Sequence, residues 1–231
     1  MKGRIVRAEP KDRLSLPIVG KIKCGEMVKT DKGKTYPTSH DYFLASGKYE
    51  GLFRAAYGEN PSTIRIVFPS DDASLCCREE WEYRDDAGKL VASGDGETFR
   101  VWNGREYETF STEQYPQLME GLSAKQPSKT GWQVTLTLNF IIPEVRGVMG
   151  CWQFRTKGSA STIPAVRDAF DAMLESNGKV VGVIWDLSVR FAKSQKPGQS
   201  SRYPVVTLTA NESAENIEKV MEARKPIMIE D

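Results

Sequence analysis

Histidine is almost missing from this 231-residue chain, in which His40 is the only one. A catalytic triad, a histidine-built metal site or an acid–base pair that uses imidazole has a single place to form, and no Ser/His/Asp or Cys/His arrangement is plausible around His40 alone. Cysteine is scarce as well, at four residues. Cys24, Cys76, Cys77 and Cys151 have neither the spacing of a zinc site nor the density of a disulfide framework, so they are expected as reduced, buried thiols. If adjacent Cys76 and Cys77 lie on a strand, they point to opposite faces, one inward and one outward. No metal and no other cofactor is expected.

Long apolar runs are lacking too. The strongest, Gln133 to Val148, is broken by Asn139, Pro143, Glu144 and Arg146, and falls short of the roughly 20 apolar residues of a membrane-spanning helix. The first ten residues mix Lys2, Arg4 and Arg7 with scattered apolar positions and lack the apolar centre of a secretory signal, so a cytoplasmic location with no membrane partner is expected. Internal repeats and low-complexity tracts are missing, which argues against solenoids and fibrous folds. Two nucleotide fingerprints also fail. Gly33, Lys34 and Thr35 end like a phosphate-binding loop, but Val28 stands where its first glycine is needed, and Phe99 occupies the third-glycine place after Gly94 and Gly96.

What is present is a chain long enough to bury its own core, with 32 Lys and Arg against 31 Asp and Glu. These charges are unevenly spread. Residues 1–34 and 122–210 are basic, and residues 69–121 are strongly acidic. Such asymmetry fits separate faces for separate partners, one of which could be nucleic acid, or an ordinary solvated surface.

The pattern predicts an α+β fold with mostly antiparallel sheets. Val19 to Val28 alternates as a strand, and the segment from Ser46 to Gly58 suits a short helix with Tyr49, Leu52, Phe53, Ala56 and Tyr57 as its apolar positions. Thr63 to Phe68, Leu75 to Tyr83 and Lys89 to Ser93 read as strands of a meander. Glu97 to Trp102 and Arg105 to Phe110 flank Asn103 and Gly104, a two-residue hairpin turn in which both residues accept positive φ. Ser111 to Leu122 is read as a helix and 123–130 as a linker, dividing an N-terminal β-rich part with acidic hairpins (1–122) from a C-terminal ββαββα part (131–231). In that second part Gly131 to Pro143 is a half-buried strand with Trp132, Val134, Leu136, Leu138 and Phe140 on its apolar face, and Val145 to Thr156 is its antiparallel neighbour. Ser161 or Thr162 caps the next helix, which Asn177 and Gly178 end. Val180 to Phe191 and Tyr203 to Thr209 are further strands, and Ser213 to Arg224 is a closing helix. The stretch Arg146 to Ser194 thus reads β, α, β.

Two constellations offer chemistry. Asp71, Asp72, Glu79, Glu80, Asp85, Asp86, Asp95 and Glu97 are the carboxylates that a magnesium-dependent hydrolase would draw on, and also what a solvated hairpin surface looks like. The second is a binding surface. Arg155, Lys157, Arg190, Lys193, Lys196 and Arg202 sit on adjoining strand ends and loops where they could track a phosphate backbone or meet another acidic partner. Trp152, Phe154, Trp185 and Tyr203 lie close by in sequence, either as stacking platforms for bases or as core.

Five segments resemble a known family. VFPSDD at Val67 to Asp72, WEYRDDAGKLVASGDGE at Trp81 to Glu97, GCWQFRTKGSASTIPAV at Gly150 to Val166, GKVVGVIWDLSV at Gly178 to Val189 and YPVVTL at Tyr203 to Leu208 follow the order seen in recombination directionality factor-like proteins of phages and integrative elements. The resemblance runs from about Gly20 to Ala210. It implies a noncatalytic accessory protein, not an enzyme, that docks on a DNA-bound large serine integrase and controls recombination direction. Members from actinophages carry a cysteine-rich insert after the counterpart of Gly94 to Gly96; here Glu97 to Phe110 is a plain hairpin, so the resemblance implies no zinc. Alternatives are a single-stranded nucleic-acid-binding protein of phage replication and a metal-dependent hydrolase.

Overall fold

The computed structural model of the chain describes residues 16–31, 33–85, 87–113, 132–194 and 201–211. The elements are β1 (Ile18–Lys29), β2 (Thr35–Ser46), α1 (Glu50–Tyr57), β3 (Thr63–Ile66), α2 (Ala73–Cys76), β4 (Cys77–Arg84), β5 (Leu90–Gly94), β6 (Thr98–Trp102) and β7 (Tyr107–Ser111). They continue with β8 (Gln133–Phe140), β9 (Cys151–Thr156), α3 (Thr162–Asn177), β10 (Trp185–Lys193) and β11 (Arg202–Ala210). The fold is α+β with mostly antiparallel sheets.

Eight strands form one sheet in the order β2-β1-β9-β8-β4-β5-β6-β7, and β11-β10-β3 form a second. Among the described strands of the large sheet only β1 and β9 run parallel. Both sheets take strands from either side of residues 123–130, which lie outside the described residues, as does the 213–224 helix. One core cluster spans the chain from Ile22 to Leu208. It includes Trp152, Trp185, Phe68, Phe140 and Phe170, each 1% exposed or less, with edge-on aromatic contacts of Phe68 to Phe170 and to Trp185.

Several elements depart from the sequence expectation for physical reasons. β8 is bordered by β9 and β4 and is buried on both faces, with Thr135 and Thr137 at 1% and 7% exposure beside Leu136 and Leu138 at 0%. Alternation marks two different faces here, not one wet and one dry. Cys76 and Cys77 are both buried, because Cys76 closes the single turn of α2 and Cys77 opens β4, so the strand alternation does not link them. The β6–β7 connection is a four-residue loop. Trp102 pairs with Tyr107, and the Asn103 side-chain oxygen accepts from the amides of Arg105 and Glu106 at 2.8 and 2.9 Å, while only Gly104 has positive φ. Ser111 belongs to β7, and residues 114–131 lie outside the described residues.

In the β, α, β stretch the two strands join different sheets, so α3 lies between sheets instead of crossing over one. Ser161 occupies the N-cap position of α3 without a side-chain bond, and the neighbouring Thr162 hydroxyl accepts from the Val206 amide of β11 at 3.1 Å. That hydroxyl satisfies an edge-strand donor which would otherwise be buried unpaired. β2, unannounced by any alternation, has His40 to Phe43 in a register break opposite β1.

Candidate partner-binding surface

A pleated strand sends alternate side chains to opposite faces. On one face of the large sheet this gathers Arg78, Glu80, Glu82 and Arg84 of β4, and the register extends the set to Thr137 of β8, Arg155 of β9, Ser93 of β5 and Arg100 of β6. Glu79, one pleat out of phase, turns to α3 and pairs with Arg167 at 3.1 Å.

Glu82 is the pivot of this face. It is 6% exposed, and a buried carboxylate is costly unless cations and donors surround it. Arg155 pairs with its Oε1, and Arg84 brings Nε and Nη2 to its Oε2 at 3.1 Å each. Arg84 also donates Nη1 to the Gly88 carbonyl at 2.9 Å. Beside them, partial burial and then the charge of Arg84 hold the Lys157 ammonium below its ordinary pKa, with Arg155 adding to the effect and Glu82 opposing it. Three cations, Arg84, Arg155 and Lys157, thus surround the one carboxylate of Glu82 where β9 ends.

The sequence-derived residues separate into groups. Arg155 and Lys157 come together on this face. Lys193 stands directly opposite Arg202 on the β10–β11 hairpin, with the Arg202 guanidinium 5.2 Å from the centre of the Phe191 ring, whereas Arg190 is out of phase with them and faces the other way, opposite Val205. Lys196 lies outside the described residues. Trp152 and Trp185 are 1% exposed, and Phe154 is 3%. This corrects the stacking expectation for both tryptophans, since a base has no access to a ring enclosed by core. A cleft of about 450 Å3 beside Arg155 of β9 is lined among others by Lys23, Glu26 and Met27 of β1, Pro37 of β2 and Pro204 of β11, while Lys157, Lys193 and Arg202 stand outside it. Lys23, Arg84 and Arg100 escaped the sequence reading because the first lies in a strand read only for fold and the other two sit within an acidic segment. The period-2 pattern of β4 was the available signal.

The acidic residues do not converge. Asp71 Oδ1 accepts from the amides of Val180 and Val181 at 2.8 Å each, Asp72 caps α2 through the Ser74 amide at 2.8 Å, and Asp85 accepts from the Lys89 amide at 2.7 Å. Glu80 pairs with Arg78 at 3.3 Å. Asp95 accepts from the Glu97 and Thr98 amides at 2.9 and 2.7 Å, and these bonds, the Thr98 one foremost, hold its carboxyl below the usual range. Asp86 is outside the described residues. Among the described residues no three His, Cys, Asp or Glu side chains stand where they could share a metal ion. The thiols are free, and burial pushes Cys24, Cys76 and Cys77 up to about 12, leaving them protonated and poor as nucleophiles or ligands.

The model of the family described as Gp3-like, recombination directionality factor-like, matches residues 19–211. The chain belongs to the recombination directionality factor-like family. No curated protein and no solved structure matches it. For this family member the match extends from β1 through β11, so it covers the whole described fold and not one motif. Two of the resembling segments meet in space: Phe68 bridges to Val181, and Asp71 ties the loop after β3 to the same run. Membership supports the role of a phage recombination accessory factor.

Proposed function

We propose that this protein is a noncatalytic accessory factor that docks on a DNA-bound recombinase of the large serine integrase class and sets the direction of recombination. The observation that carries this reading is the family match over residues 19–211, which takes in every described element. The geometry is in keeping with it. The carboxylates are engaged in caps, turns and ion pairs, and the exposed surface offers Arg, Trp and Tyr, the residue types that dominate the energetics of protein interfaces.

Such a factor works by binding two arrangements of its partner unequally. A free-energy difference of about 5.5 kcal/mol moves a two-state balance from about 1:99 to 99:1, and equal affinity for both moves nothing. The cytoplasm, where the recombinase acts on DNA, is the matching location.

The test is recombination in vitro with the cognate integrase and excision-type sites. Adding the protein is expected to raise the excision yield and depress integration between the opposite sites. Unchanged direction and yield at saturating protein would refute the proposal.

A further inference from the structure

We propose that the charged face of the large sheet is a platform for single-stranded nucleic acid, running from Lys157 and Arg155 across Arg84 and Arg100 to the exposed rings of Trp102 and Tyr107. This does not rest on the recombinase reading.

The first argument is charge sorting. Residues 69–121 are acidic as sequence, which discourages any thought of a polyanion there. Strand pairing gathers the cations of this segment on one face. Asp71, Asp72, Asp85 and Asp95 keep their charge but are held by backbone amides in turns and caps, Glu79 turns to Arg167, and Glu108 pairs opposite Val101, out of phase with Arg100. Beside the cations stand Glu80, paired with Arg78, Glu82, buried and shared by Arg84 and Arg155, and Asp95, which lines the same cleft as Arg78 and Arg100. Arg78, Arg84, Arg100, Arg155 and Lys157 outnumber the carboxylates of Glu80, Glu82 and Asp95 among them.

The second argument is the aromatic end of the strip. Trp102 and Tyr107 are 43% and 41% exposed, with ring centres 5.2 Å apart. They are held in place: the Tyr107 hydroxyl donates to the Leu90 carbonyl at 2.8 Å, the Arg100 guanidinium lies 5.6 Å from the Tyr107 ring centre, and Arg100 Nε donates to Ser93 Oγ at 3.0 Å. Fixed, exposed rings beside a guanidinium are what an unpaired base stacks on. Through Ser93, which pairs opposite both Glu82 and Arg100, this cluster is continuous with the Glu82 network.

The third argument is dimension. From β9 to β7 the strip crosses β8, β4, β5 and β6. At about 4.8 Å per strand step this is roughly 24 Å, the reach of a short oligonucleotide. A duplex hides its base faces, and an acidic peptide has none, so the pairing of cations with open rings selects a single strand.

The experiment is fluorescence anisotropy of a labelled oligothymidylate with the full chain at low and moderate salt. Salt-weakened binding is expected, and Trp102→Ala and Arg100→Ala should each weaken it about 5-fold or more. Trp102→Phe, which keeps a ring, should retain most of the affinity, and Lys34→Ala in the β1–β2 turn, near the opposite edge of the sheet, should leave it unchanged. Melting curves show whether each variant is folded; if Trp102→Ala is not, Trp102→Phe and Arg100→Ala decide. The proposal is overturned by an absence of binding at low salt, by wild-type affinity in a folded Trp102→Ala or in Arg100→Ala, by a stronger effect of Lys34→Ala, or by equally tight binding of duplex DNA. It is likewise overturned if polyglutamate competes as well as the oligonucleotide, which would leave only a generic polyanion surface.

Discussion

Arg155 combines two roles. One side of its guanidinium answers the buried carboxylate of Glu82, and the side chain still keeps 37% exposure toward solvent. Removing one partner of a buried ion pair leaves an uncompensated charge, which costs about 3–5 kcal/mol in full burial. Here Arg84 remains on the other oxygen of Glu82, so Arg155→Ala is expected to lower stability by about 1–3 kcal/mol in urea unfolding, against about 0.5 kcal/mol or less for exposed Lys157→Ala. Combining Arg155→Ala with Glu82→Gln should recover part of the loss, because the neutral amide no longer requires a cation. Equal effects of Arg155→Ala and Lys157→Ala would show that Arg155 does not stabilise Glu82. At this scale the sequence offered Arg155 and Lys157 as equivalent surface cations. Their difference arises from Glu82, whose burial depends on residues contributed by β8, β5 and β9.

Among the elements, β1 and β9 form the one parallel pair among the described strands of the large sheet, and the pairing needs glycine. Gly20 stands in register with Trp152, and a Cβ there would run into the Trp152 ring, which is itself fixed in the core. Gly20→Ala is therefore expected to cost about 1–3 kcal/mol through overpacking. Gly51 gives the contrast. It lies inside α1 with open space where a methyl group would sit, so Gly51→Ala should stabilise by roughly 0.5–1 kcal/mol through helix propensity and unfolded-state entropy. Denaturant midpoints of the two variants on opposite sides of the wild type would bear this out; midpoints on the same side would count against it. Most elements were legible from periodicity, including α3, β6, β7, β8 and β11. β2 was not, because its register break suppresses the alternation that would have marked it.

For the molecule as a whole, the buried thiols set an alkaline limit. Cys24, Cys76 and Cys77 are pushed from about 9 up to about 12 by desolvation. A pKa raised by folding means that the folded chain holds protons which the unfolded chain has begun to release. The thiol contribution is thus complete below about pH 9 and is lost progressively as pH climbs toward about 12. Urea midpoints measured from about pH 8 to about pH 11 should fall, and Cys77→Ala should make the decline shallower by removing one of the groups responsible. A decline identical in the variant would assign it to lysine and tyrosine titration instead.

By itself the sequence determined the α+β class, the position of most strands and helices, and the segments that tie the chain to its family, because these follow from local periodicity, turn chemistry and residue order. Tertiary structure decided which surface those elements present. It buried Trp152 and Trp185, parted Arg190 from Lys193 and Arg202, and assembled Arg84, Arg100, Trp102, Tyr107, Arg155 and Lys157 on one face. The physical reason is that a side chain's face is set by the pleat, and its neighbours by strand order. The order β9-β8-β4-β5-β6-β7 joins residues far apart in sequence through long-range pairing that no local pattern encodes.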